Sequence, residues 1–182
     1  WALFTEDDEL VDYGLIKPEL KLCKGMVYPQ QQLTKMKSLG EKILNLINNL
    51  DPTYIVVEEV TGGRQRKGQK VLNGGHFILM YYIEDWIDRV RYYDVTGKHG
   101  WRTHLRMVYS ETDKLHNKEA KKLNKTLAPQ QRLPVITHKT LACRYANLNY
   151  NTDLDENKKK TDSDIADAIS MGSSFVRLTF PT

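Results

Sequence analysis

Long apolar runs, paired cysteines, a basic apolar leader and internal repeats are all missing from this chain. No stretch approaches the ~20 consecutive apolar residues that a membrane-spanning helix needs, so no membrane is expected among its partners. The opening WALFTEDDE has no basic segment leading into an apolar one, so no secretory signal is read there. Cysteine is scarce. Cys23 and Cys143 are the only two, and their separation fits neither metal nor redox spacing. They read as reduced, partly buried thiols of an intracellular, cytoplasmic protein. The five histidines, His76, His99, His104, His116 and His138, show no ligand spacing and read as surface or core residues. His76 alone stays open as a site residue. No repeat or low-complexity tract breaks the chain.

What is present is ordinary globular material. At 182 residues, 27% charged and 40% hydrophobic, the chain can bury one core, and a single domain over 1–182 is expected. The net charge of +4 is unevenly spread. GRQRKGQK (Gly63–Lys70) holds four cations and no acid. KLHNKEAKKLNK (Lys114–Lys125) holds five lysines and one acid, and Lys158–Lys160 is a lysine triplet. Such patches suit phosphate backbones, and they equally suit solvated surface helices.

Apolar spacing outlines the elements. WALFTEDDELVDYGLI reads as two short strands joined by an acidic turn at Glu6–Glu9. Leu33–Leu50 keeps the three/four spacing of a helix and ends at Asp51-Pro52. YIVVEEV (Tyr54–Val60) is a continuous β-branched run, which predicts a parallel, central strand buried on both faces. Helices are expected over Leu72–Ile87, Thr112–Leu127, Thr137–Leu148 and Asp164–Val176, with a strand at Val90–Val95 and a loop at Asn149–Lys160. This alternation predicts an α/β domain with a mixed sheet.

Two sets of carboxylates carry the chemical interest. Asp162, Asp164 and Asp167 stand where the last helix begins. Asp164 and Asp167 are three apart and share a helix face, with Cβ atoms roughly 5–6 Å apart. Their repulsion needs compensation, and a hard divalent cation would supply it. Helix capping is the plainer explanation, since acids in a first turn suit the helix dipole. Glu58 and Glu59 end the apolar strand. Ligands of open α/β sheets gather beyond the carboxyl ends of strands, though both acids could simply emerge into solvent. Together, an acid on the strand and a D-x-x-D at the last helix can assemble one metal cluster. Two ions about 3.5–4 Å apart can clamp the attacking and leaving oxygens of a phosphodiester.

At this point four blocks resemble the RuvC-type Holliday junction resolvases of the ribonuclease H-like superfamily, and more closely the phage-encoded members. WALF with LVDYGLI looks like the family's second and third strands. DPTYIVVEEV looks like its P-[DT]-Y-x-x-x-E strand, which implies metal binding by Glu58. ITHKTLACRYAN looks like the late helix carrying a lysine near the active site, which points to Lys139. DSDIADAISMG looks like the closing D-x-A-D-A motif and implies metal ligation by Asp164 and Asp167, with Asp162 left as a cap or supporting group. The resemblance implies a ribonuclease H-like mixed β-sheet flanked by helices on both faces. It also implies a first strand bearing one more Asp shortly ahead of Trp1; Asp7, Asp8 and Asp12 do not match that position.

The activity so implied is metal-dependent resolution of four-way junctions or other branched DNA by a homodimer, leaving 5′-phosphate and 3′-hydroxyl ends. Two Mg²⁺ (or Mn²⁺) ions would be held by Glu58, Asp164, Asp167 and the additional Asp, with Lys139 stabilising charge on the phosphate. Arg64, Arg66, Lys67 and Lys70, in a glycine-rich basic loop after the strand, are candidates for DNA backbone contacts. Arg102 joins them from GKHGWRTHL, and Lys118 from the lysine-rich segment; Trp101 reads as core. The competing expectation is a catalytically inactive nucleic-acid-binding module of the same fold.

Overall fold

The structure, a computed structural model, describes residues 1–19, 24–59, 66–95, 97–158 and 161–181, with backbone alone for 66–72. The chain is α/β and divides into two compact units: Trp1–Leu15 with Thr96–Thr182, and Ile16–Val95.

In the first unit, β1 (Ala2–Phe4) and β2 (Leu10–Tyr13) form an antiparallel hairpin. Its register slips between Leu3 and Phe4, so that Val11 is the extra residue of a bulge. The acidic turn closes through the Glu9 carbonyl accepting from the Thr5 N–H at 3.0 Å, with Asp8 at φ 61°. Asp tolerates this left-handed region better than most residues. The two strands and acidic turn expected from the sequence are therefore present.

Among its described residues this unit also has four α-helices: α3 (Trp101–His104), α4 (Glu111–Leu123), α5 (His138–Tyr150) and α6 (Asp162–Thr179). Capping boxes start two of them, Ser110 with Asp113 for α4 and Thr137 with Thr140 for α5. Each satisfies two backbone N–H groups that a helix start otherwise leaves unpaired. Small residues line the contact of α5 with α6. Ala142, Cys143 and Ala146 face the core from α5, and Ser163, Ala166, Ile169, Ser170, Ser173 and Ser174 from α6. Small side chains let helix axes approach closely, and β1 also packs on α6. A Cβ at Gly172 would stand 2.6 Å from Phe4 Cε2, so only glycine admits this packing.

Polar contacts then tie loops to helices. Tyr150 donates to Asp8 Oδ1 at 2.7 Å, and Arg177 Nε reaches Asp8 Oδ2 at 2.5 Å. Ser173 Oγ bonds Tyr145 at 2.8 Å and also Tyr150. The hairpin turn is thus anchored to α5 and α6. The extended stretch after α4 is held by two asparagines of that helix. Asn117 donates to the Ile136 carbonyl at 2.9 Å and accepts from its N–H at 2.8 Å. Asn124 does the same for Leu133, at 2.9 and 2.7 Å.

In the second unit, α1 (Gln30–Leu50) packs against α2 (Arg66–Tyr82), and β3 (Ile55–Glu58) pairs in parallel with β4 (Val90–Tyr93). Parallel neighbours need a crossover, and α2 supplies it. The helix α1 stops where the sequence indicates: Asp51 turns left-handed at φ 42°, ahead of Pro52.

Three expectations are corrected. First, no single mixed sheet forms among the described residues; the strands make two separate two-stranded sheets. The run around β3 reads as doubly buried, but with one neighbour among the described residues, Ile55, Val56 and Val57 are only half-buried and Glu58 is exposed. Strand pairing is set by distant chain segments, which a local apolar run does not encode. Second, α2 begins at Arg66 and ends at Tyr82, followed by a 3₁₀ segment over Glu84–Arg89. The basic stretch read as a loop therefore lies largely on a helix. Arg, Lys and Gln are good helix formers, and the single Gly68 costs only about 1 kcal/mol. Third, GKHGWRTHL contains the one-turn helix α3 rather than a loop throughout.

Candidate active site

The closing helix α6 puts both of its motif acids beside cations. Its first turn follows Thr161, and Asp162 sits at the entrance as an anchor. Asp162 Oδ2 accepts the Asp155 N–H at 2.9 Å, and Oδ1 accepts the Thr161 hydroxyl at 2.7 Å. These bonds, the backbone one first, hold the Asp162 carboxyl below its ordinary pKa. Its oxygens are committed to the loop ahead of the helix.

Asp164 and Asp167 point elsewhere. Lys139 Nζ, from the first turn of α5, donates to Asp164 Oδ1 at 2.5 Å and to Ser163 Oγ at 3.4 Å. Arg102 Nη2, from α3, donates to Asp167 Oδ1 at 3.3 Å. The two acids differ in exposure: the Asp164 side chain is 50% exposed and that of Asp167 16%. Burial pushes the Asp167 carboxyl above its ordinary value, against the pull of Arg102 and Lys139, and the Asp164 charge adds to the rise. The main-chain nitrogen of Trp1 lies within electrostatic reach of Asp164. The start of β1 therefore stands beside this pair.

Arg102 is a stronger feature than its nomination as a backbone contact conveys. Its guanidinium lies 4.7 Å from the Trp101 ring centroid, a cation–π geometry, and Trp101 is fully buried. Next on α3, His104 Nδ1 meets Ser174 Oγ at 2.8 Å. Trp101 Nε1, Arg102 Nε and Ser170 Oγ are buried without hydrogen-bond partners among the described residues. Buried polar atoms in that state are uncommon and costly. Two charges and three unsatisfied polar atoms thus fall on the packed elements α3 and α6.

The remaining nominated residues lie as follows. Glu58 ends β3 in the other unit, exposed to solvent and in register with Tyr93. Arg64 lies outside the described residues. Arg66, Lys67 and Lys70 fall in the first turns of α2, where the backbone alone is described. Lys118 is exposed on α4. His76 stacks on Tyr92 at 6.2 Å, and burial lowers its pKa. Sequence reasoning missed a second ion cluster. Arg144 binds Asp113 Oδ1 at 2.9 Å through Nη1 and Glu156 Oε1 at 3.1 Å through Nε. Its only advance signal is an arginine on an otherwise apolar helix segment.

Among the described residues, no three His, Cys, Asp or Glu side chains gather into a group able to hold a metal ion. Asp164 and Asp167 do present carboxylate oxygens three residues apart, the donor chemistry that Mg²⁺ and Mn²⁺ take. They suit half of a hard-cation site, and two protein cations already face them. Comparison with protein-family models, with curated proteins and with solved structures gives no match for the chain.

Proposed function

We propose that the chain is a metal-dependent endonuclease of ribonuclease H-like type, selective for four-way junctions or other branched DNA. The observation that carries this is the meeting of Asp164 and Asp167 with Lys139 and Arg102 on α6, α5 and α3. Three helices far apart in sequence deliver two acids and two cations to one place, and Asp167 is kept there against its burial cost. Structural capping needs none of this convergence. The resemblance of DSDIADAISMG and ITHKTLACRYAN to a resolvase family lends the same residues their roles.

In this reading Asp164 and Asp167 hold divalent metal, with Glu58 as a further carboxylate assigned by the resemblance alone. When bound, Mg²⁺ or Mn²⁺ supplies an activated water and charge neutralisation at the leaving oxygen. Lys139 Nζ, half exposed, stabilises negative charge on the scissile phosphate once Asp164 is engaged elsewhere. Arg102 fixes the Asp167 carboxylate of α6 against α3. The products carry 5′-phosphate and 3′-hydroxyl ends, and a homodimer matches the two-fold symmetry of a junction. The setting is the cytoplasm, the host's if the chain is phage-encoded.

A second reading is a nucleic-acid-binding module without catalysis. The neutralisation of both acids by Lys139 and Arg102 favours it. One experiment separates the two: cleavage of a synthetic four-way junction and of linear duplex over a Mg²⁺ titration. Junction cleavage that falls at least ~100-fold in Asp167→Asn is the expected result, on the scale of losing one electrostatic group from a catalytic site. Equal cleavage by that variant overturns the assignment. Junction binding without cleavage at any metal concentration supports the module.

A further inference from the structure

One face of α4 carries aligned positive charge. Lys114, Lys118, Lys121 and Lys125 follow one another at intervals of four, three and four residues, and all are exposed. This is the spacing of a single helical stripe. Lys125 lies in the turn that follows the Asn124 cap, and Lys122 flanks the row. The row spans about 16 Å at 1.5 Å per residue.

The adjacent face of the same helix, about 100° around the axis, is fixed. Asp113, Asn117, Ala120 and Asn124 repeat the same interval one position earlier. Asp113 and Ala120 are buried. Asn117 and Asn124 are each doubly bonded to the backbone of the stretch beyond the helix. Arg144 ties Asp113 to α5. The lysines are therefore presented by a helix whose rotation is set.

Surface charge for solubility alone is interspersed with acid. Here Lys114 pairs with Glu111 at 2.6 Å. Among the described residues, Lys118, Lys121, Lys122 and Lys125 meet no carboxylate within ion-pair distance. Like charges at i, i+4 destabilise a helix. The helix dipole compensates Lys121 and Lys122 in the last turn, but less so Lys118, which lies before that turn. A polyanion reverses the sign of the whole row at once. At ~3.4 Å per phosphate along one strand, a row of ~16 Å faces about five nucleotides.

We propose that the α4 lysine row is a docking surface for the sugar–phosphate backbone of DNA, read for charge and not for sequence. The inference rests on the reading of the chain as a DNA endonuclease and names the surface that holds its substrate's arm. Backbone contacts release counterions, so each lost contact lowers the salt dependence of binding by about 0.9 in log K against log salt.

The test is equilibrium binding of the full chain, in EDTA, to a four-way junction and to linear duplex of equal length. Salt is varied from about 50 to 200 mM. The triple variant K118Q/K121Q/K125Q keeps good helix formers at exposed positions, and circular dichroism checks its fold. Its slope is expected to fall by about 3 on both DNAs, and that of K118Q alone by about 1. An unchanged slope in a folded triple variant, with wild type binding and cutting junctions, overturns the docking surface and leaves the nuclease reading standing. No DNA binding by wild type overturns both. Loss of binding to phosphatidylserine vesicles with DNA binding unchanged assigns the row to a membrane surface and overturns the proposal.

Discussion

Around α5 and α6, Ala142, Cys143, Ala146, Ala166 and Ile169 are wholly buried, and Trp101 beside them is too. Around α1 and α2, only Ile47 and Ile83 are buried apolar residues among those described, while Phe77, Tyr81, Val27 and Tyr28 stand mostly exposed. The difference lies in side-chain size. The first unit packs small residues on facing helices, so backbones approach and leave little accessible surface. The second unit relies on larger side chains, such as the Tyr82 ring of α2 laid against Gly40 of α1. The unit holding Asp164 and Asp167 is thus the one with rigid support, and rigid support is what keeps reactive groups in geometry. Unit Ile16–Val95 has fewer buried apolar residues among those described, a mark of regions that open more easily.

The widest separation between the units is expected from aromatic truncation. Trp101→Ala should cost about 3–5 kcal/mol, because a fully enclosed ring leaves a cavity. Phe77→Ala should stay within about 0.5 kcal/mol, as for other exposed positions. Urea denaturation of both variants measures the contrast, and a comparable cost for Phe77→Ala would break it. Glycine substitution comes next. Gly172→Ala drives a methyl against Phe4, an overpacking cost of about 1–3 kcal/mol. Gly40→Ala meets Tyr82 Cδ2 at 2.3 Å, yet should cost less, because the looser second unit lets that ring swing away. Equal losses on denaturation would mean that the second unit is packed as firmly as the first.

The smallest effects concern pH. Burial raises the Asp167 carboxyl, so the folded chain binds that proton more tightly than the unfolded chain. The resulting stability is present at acid pH and is lost as pH rises through the folded value. Asp167→Asn removes that loss and should melt higher than wild type at neutral pH, with the gap closing as pH falls towards about 4. Asp162 has the opposite sign, since its hydrogen bonds lower the folded value. Its contribution is present above the ordinary carboxyl range and lost as pH falls through the folded value. Asp162→Asn should melt about 2 °C lower, or less, at neutral pH and match wild type in strong acid. Melting curves across pH check both directions. Two shifts of the same sign would remove the distinction between a buried site acid and an anchoring acid.

Local patterns made much of the fold legible. The spacing from Leu33 to Leu50 marks α1, the Asp51-Pro52 pair marks its end, and the alternation around an acidic turn marks the hairpin. Asp164 and Asp167 were visible as a pair because a helix converts a three-residue gap into a shared face. Contacts between distant segments were not. Arg102 and Asp167 are 65 residues apart, and Tyr150 and Asp8 are 142 apart; no periodicity joins them. Lys139 and Arg102 were nominated by resemblance, but that each would take one acid of the pair follows only from how α3 and α5 pack on α6. The partner of β3 was illegible for the same reason.

The two asparagine clamps on α4 work as a vernier between two kinds of backbone. Seven helical residues from Asn117 to Asn124 advance about 10.5 Å. Three extended residues from Leu133 to Ile136 advance about 10 Å. The two lengths agree, so both amides engage at once. Inserting or deleting one residue on the helix swings one amide by about 100° around the axis and leaves only a single clamp. Side chains other than the two asparagines and the buried Asp113 and Ala120 are free to change, but neither segment can change its length alone.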